Sequence, residues 1–109
     1  ILGSVIYIDN YGNVVTNITA KLFKEIGKTR NFTIFARTVK FRKIHESYSD
    51  AIDFNLSKEK REEDGKKLAL FNSAGHLELA VYKSNPLTVG SASSLFGLDY
   101  RDPVTIKFD

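Results

Sequence analysis

The chain has no cysteine, which rules out both a disulfide frame and a thiolate zinc site. Such a composition is compatible with a reducing compartment, and the cytoplasm is the expected location. No apolar run approaches the roughly 18 residues of a membrane-spanning helix, and no signal peptide opens the chain. Histidine is scarce: His45 and His76 are the whole stock of side chains that titrate near neutrality. His76 and Glu78 share one face of a strand, but two groups do not close a metal site, so they read as a surface pair and no metal is expected. A nucleophile elbow, a phosphate-binding glycine loop and a paired-carboxylate motif are all missing. The sequons at Asn17, Asn31 and Asn55 stand alone, with nothing else pointing to secretion.

What is present is the composition of one folded domain. In 109 residues, 42% are hydrophobic, with eight Phe and five Tyr to fill a core. The opening Ile1-Leu2-Gly3 starts almost inside a strand and without Met. We therefore expect a single C-terminal domain, residues 1–109, cut from a longer two-domain chain. The net charge of +3 is unevenly spread, with eight Lys or Arg against two acids between Ala20 and Ser47. Interleaved with Phe32, Phe35 and Phe41, that stretch supports an alternative function, a non-catalytic basic module that binds nucleic acid through the face around Arg37 to Lys43. The same aromatics also fall where strands need core residues, and Lys21, Lys24 and Lys28 suit the solvated side of a short helix. The run from Lys58 to Lys67 mixes both signs without an apolar face and reads as a solvated loop.

Strand signals dominate. Val5–Ile8 and Val14–Ile18 are β-branched and aromatic, and Asp9-Asn10-Tyr11-Gly12-Asn13 reverses the chain between them. Thr19 caps a short helix over 20–26, with Leu22, Phe23 and Ile26 on its apolar side and Gly27 as its stop. Phe32, Ile34 and Ala36 alternate with polar neighbours, and the phase slips near Arg37-Thr38, which implies a bulge or a tight turn. His45 to Asp50 is loop-like around Tyr48. A second hairpin follows, with Leu68–Phe71 and Leu77–Tyr82 joined by Asn72-Ser73-Ala74-Gly75. A short helix or wrapped loop is expected within 87–97, and a last strand over 104–108. Paired strands with short links predict a mainly β domain, a small antiparallel barrel or sandwich with one or two short helices.

The stretch Ile8-Asp-Asn-Tyr-Gly-Asn-Val-Val-Thr-Asn-Ile18, followed by Leu70-Phe-Asn-Ser-Ala-Gly-His-Leu-Glu-Leu-Ala80, resembles the C-terminal domain of the S-adenosylmethionine (SAM) hydroxide adenosyltransferases. These enzymes are relatives of the bacterial fluorinase and chlorinase, and the similarity runs from Gly3 to Phe108. It implies a two-domain enzyme, usually a trimer, whose ligand lies between the N-terminal α/β domain of one subunit and the C-terminal domain of a neighbour. Hydroxide or halide attacks C5′ of SAM; with water, the products are adenosine and methionine. The family's catalytic Asp, Arg and His belong to the other domain, so no catalytic residue is expected in this chain. No cofactor besides the substrate is implied.

By the same resemblance, Asp9 holds the ammonium of the methionine portion and Ser73 binds that amino-acid end. Asn13 pairs with the adenine edge, Tyr48 stacks on adenine, and the segment from Val81 to Lys83 reaches it with its main chain. Val15 stands where halogenating members carry Trp, and Ala74 and Val81 where they carry Arg. These differences favour the hydrolytic branch over a halogenase domain. The reading requires two hairpin tips, far apart along the chain, to converge in space and grip the two ends of one ligand; with Asp9 and Ser73 on opposite sides of the domain there would be no shared pocket.

Overall fold

The computed structural model describes residues 1–46, 67–81 and 92–109. In them lie seven strands and two short helices: β1 (Leu2–Ile8), β2 (Val14–Thr19), α1 (Ala20–Gly27), β3 (Phe32–Ala36), β4 (Val39–Phe41), β5 (Lys67–Phe71), β6 (His76–Val81), α2 (Ala92–Phe96) and β7 (Pro103–Phe108). All strand neighbours are antiparallel, in the order β4-β3-β7-β1-β2-β6-β5. The two ends of that order approach one another. Beyond β4, His45 bridges Leu70 of β5, its N–H donating to the Ala69 carbonyl at 2.8 Å. The sheet is thus a nearly closed barrel, one of the two antiparallel forms the strand pattern left open, and closure leaves few edges for unwanted pairing.

The barrel interior is apolar. Val5, Val14, Ile18, Ile34, Leu77, Leu79, Val104 and Ile106 are buried in one cluster, each a residue that the alternation points inward. Leu68, Leu70 and Ala80 form a separate buried cluster on the other face of β5 and β6. At the Arg37-Thr38 phase slip the chain makes a tight turn: Ala36 pairs with Val39, and Arg37 takes φ 52°. A positive φ at the first of two turn residues suits the right-handed twist of a hairpin.

Helix α1 corrects the sequence reading in two respects. Thr19 caps it as expected, accepting from the Leu22 N–H at 3.1 Å. However, Leu22 and Ile26 are partly exposed, and only Phe23 turns inward, packing edge-on against Phe32 at 5.0 Å and against Phe71 and Phe108. The buried edge of this two-turn helix is Phe23–Gly27, one i,i+4 step. Gly27 is therefore the last helical residue rather than the terminator, because the Phe108 ring occupies the space a Cβ there would need. Lys28, at φ 52°, makes the left-handed cap, its N–H donating to the Lys24 carbonyl.

Candidate functional site

The two hairpin tips are the same turn made twice. In the first, Asp9 Oδ1 accepts from the N–H groups of Tyr11 and Asn13, both at 2.9 Å. In the second, Asn72 Oδ1 accepts from those of Ala74 and His76, both at 3.0 Å. Gly12 and Gly75 each donate to the carbonyl of the first turn residue, at φ 79° and 82°. Asp9 N–H to Asn13 and Asn72 N–H to His76 close the two turns. A three-residue loop with glycine in the left-handed position is a standard hairpin closure. One carboxylate oxygen of Asp9 is therefore committed to its own backbone, and Oδ2 is the atom left to meet a ligand.

Strand register places the tips. Val14 pairs with Leu79, Val15 with Glu78 and Thr19 with His76, so the first tip stands at one end of the β2–β6 pair and the second at the other. The Ala20 N–H, donating to the Gly75 carbonyl at 2.8 Å, fixes the second tip beside the start of α1. Directly paired residues share a sheet face. Tyr7, Val15, Glu78 and Leu70 form one such row, and Ala80 and Leu68 belong to the next row of the same face. Asn13 and Asp9, one step beyond the inward pairs Val14–Leu79 and Ile8–Val14, fall on that outer face too, as do Asn72 and His76. From the Asn13–Ala80 level to the His76–Asn72 level is four residue steps, about 13 Å along the strands.

The predicted residues are distributed along this strip. Asp9 and Asn13 lie together at the first tip, and Asn13 is buried at 8% exposure. Val81, two residues past Leu79, reaches the same end with its side chain inward, so its main chain is what it offers there. Ser73 is exposed at the far tip. Asp9 and Ser73, given one end of the ligand by the resemblance, thus stand at different ends of the strip. Tyr48 and Lys83 lie outside the described residues.

Between the ends sits a residue that the sequence reading assigned to a surface pair. Glu78 is half-buried, and burial holds its proton affinity above the ordinary carboxylate value; a hydrogen bond with the Asn72 side chain opposes that rise, and the charge of Asp9 adds to it. Its expected partner His76 is engaged elsewhere, with Nδ1 3.0 Å from the Thr16 carbonyl oxygen. The signal in the sequence was the polar residue at the centre of an apolar strand, Leu77-Glu-Leu. Its neighbours come from β5 (Leu70), from the second tip (Asn72) and, by charge, from the first (Asp9).

Two of the four cations between Arg37 and Lys43 have partners, Arg37 and Lys40. Arg37 Nε donates to Asp102 Oδ2 at 3.2 Å, and the Asp99 N–H donates to the same oxygen at 2.8 Å. The backbone hydrogen bond, then the guanidinium, hold the Asp102 carboxyl below its ordinary value. Lys40 and Lys107 both lie over the Phe35 ring, and Lys67 donates to the Lys40 carbonyl while lying over Phe41. A hollow of ≈ 530 Å³ opens elsewhere, lined by Phe23, Phe32, Ile44 and Phe71 with Arg42 and Lys43. None of Asp9, Asn13, Ser73 and Val81 lines it; Asp9 and Asn13 share the sheet's outer face at the first tip, which is the candidate the resemblance points to. Among the described residues no cluster of three metal-ligating side chains occurs, and no helix is long and apolar enough to cross a membrane.

Comparison with known proteins bears on the whole chain. Residues 3–105 match the family model described as the SAM hydroxide adenosyltransferase C-terminal domain. An uncharacterized conserved protein from Thermotoga maritima is similar in structure, with a TM-score of 0.65 and 25% identity over 97% of this chain and 35% of that one. A conserved hypothetical protein from Thermus thermophilus shares the fold at a TM-score of 0.61 and 22% identity, over 97% of this chain and 32% of that one. The chain thus spans about a third of the length of the solved structures it matches. No curated protein matches it.

Proposed function

Starting from the fact that this chain belongs to the SAM hydroxide adenosyltransferase C-terminal domain family, we propose that it is the ligand-binding C-terminal domain of an enzyme that hydrolyses SAM. Water or hydroxide attacks C5′, the C5′–S bond breaks with its electron pair going to sulfur, and a proton is released. The products are adenosine and methionine. The sulfonium is itself a good leaving group, so the reaction needs no cofactor. Catalytic groups reside in an N-terminal α/β domain, and a homotrimer in the cytoplasm completes each site between neighbouring subunits.

The observation that supports this reading is the first tip, where Asp9 and Asn13 stand together. Asn13 offers an amide donor and acceptor to the adenine edge, beside the Val81 main chain. Asp9 Oδ2 supplies negative charge to the ammonium, and Ser73, at the other tip, does not share that end with Asp9. Tyr48 and Lys83 complete the adenine contacts. Val15, on the same face, presents an aliphatic wall where halogenating enzymes of the family carry Trp.

The test is product analysis with the complete protein. Incubation with SAM should release adenosine and methionine, in equal amounts and without added halide. If SAM is left unchanged, or a halogenated nucleoside forms only when halide is supplied, the hydrolytic reading is wrong. Retention on single-stranded nucleic acid that falls steeply with salt would instead favour the basic-module alternative.

A further inference from the structure

β4 and β5 are the two ends of the strand order, and the seam between them holds a cavity. β4 pairs with β3 only as far as Phe41 opposite Ile34, whereas β3 extends to Phe32, which pairs with Phe108 of β7. Past Phe41 the chain leaves β3 and crosses to β5, where the His45 N–H meets the Ala69 carbonyl. That departure opens the ≈ 530 Å³ hollow between the crossing segment, α1 and the ends of β3 and β5. Its floor is Phe23, Phe32, Ile44 and Phe71, each packed against the core yet only half-buried. The Phe23 ring stands edge-on to Phe32 at 5.0 Å and tilts against Phe71 at 5.6 Å, so three rings form one continuous surface. Helix α1, eight residues long and turning only Phe23 inward, is too short to cover them. The rim is cationic: Lys24, Arg42 and Lys43 stand there against one acid, Glu46. Among the described residues, none of those three cations is in an ion pair.

We propose that this hollow is a second binding site, one that takes a small amphipathic anion. A flat apolar body lies on the three rings, and its anionic group meets Arg42 and Lys43 at the rim. The site is independent of the SAM reading, since it uses none of the residues given to SAM. Its size falls within the roughly 300–1,000 Å³ of small-molecule pockets, and a barrel mouth with an apolar lining and a few charged groups is where such pockets form. Rings offer a flat ligand a large contact area. The guanidinium of Arg42 matches a carboxylate or phosphate in shape as well as charge, and the Lys43 and Lys24 ammonium groups add attraction without fixing orientation. Apolar contact therefore supplies affinity, and the rim selects an anion over a neutral molecule of the same shape.

The experiment is a calorimetric titration of the complete protein with naphthoate and with naphthylmethanol, a neutral molecule with the same two rings. Wild type should bind naphthoate more tightly than the alcohol, by about fivefold, the worth of two solvent-exposed charge contacts. The double variant Arg42→Ala, Lys43→Ala removes exposed side chains and leaves the ring surface in place. It should weaken naphthoate by about fivefold and leave the alcohol within about twofold of wild type. Lys24→Ala, approaching from α1, should act in the same direction with a smaller effect. Ile44→Ala takes away part of the floor and should weaken both ligands alike. Lys107→Ala, a cation over Phe35 on another part of the barrel, should change neither. No uptake of naphthoate by wild type, an alcohol bound as tightly as the acid, or equal losses in the rim and Lys107 variants would each overturn the proposal.

Discussion

The two hairpin tips have the same hydrogen bonds, the same glycine and nearly the same dihedral angles, yet they differ in chemistry and surroundings. The first begins with Asp9 and is braced by α2, whose Ser93 N–H donates to the Gly12 carbonyl at 2.9 Å. The second begins with Asn72 and leaves Ser73 and Ala74 exposed. Since either Asp or Asn can build this turn, its architecture does not explain why one tip carries a charge. The first tip thus keeps a second carboxylate oxygen where the second tip has the amide nitrogen of Asn72, whose side chain hydrogen-bonds Glu78. Repetition of a turn separates what the fold requires from what remains for other work.

Substitutions can break or sharpen that comparison. Asp9→Ala and Asn72→Ala each remove the acceptor for two backbone N–H groups, and each should cost about 1–3 kcal/mol by denaturant titration. Comparable losses would show that the tips are equivalent as structure; a cost confined to one would break the equivalence. Gly75→Ala should cost about 1 kcal/mol, through φ alone, since no atom lies within 4 Å of where its Cβ would sit.

Glu78→Gln should have the smallest effect, with the opposite sign. A carboxyl whose folded-state proton affinity is raised works against folding once ionised. That penalty is absent below the ordinary value of 4.5 and grows as pH rises through the higher folded value. The variant should therefore melt slightly higher than wild type at neutral pH, by about a few tenths of a kcal/mol after solvent screening. The gain should vanish in acid; a variant that melts lower at neutral pH would show that the Asn72 contact outweighs burial.

Much of this was legible in the sequence because it was local. β-Branched alternation marked the strands, Gly12 and Gly75 marked the turns, and Thr19 marked the start of α1. The barrel's closure was not legible, since β7 enters between β1 and β3 across most of the chain length, and nothing local encodes a pairing such as Gly3 with Val104. Gly27 misled for a similar reason: its role is set by Phe108, which arrives at the end of the chain. Glu78 was obscured by His76, its i+2 neighbour, which turns instead toward the irregular stretch of β2 between Val15 and Thr19. Asp9, Asn13 and Ser73 were singled out through motif resemblance; register sets Asp9 and Asn13 together at the first tip and Ser73 at the other.

The most direct measurement is a titration of SAM into the complete protein carrying Asp9→Asn, with Lys107→Ala as control. Asparagine keeps the turn, as Asn72 does at the other tip, so the melting temperature should stay close to wild type while SAM affinity falls by about 10-fold or more. The control, a cation lying over Phe35 on another part of the barrel, should leave affinity unchanged. Equal affinities for the two variants would contradict the account, because the charge at the first tip would then have no ligand to serve.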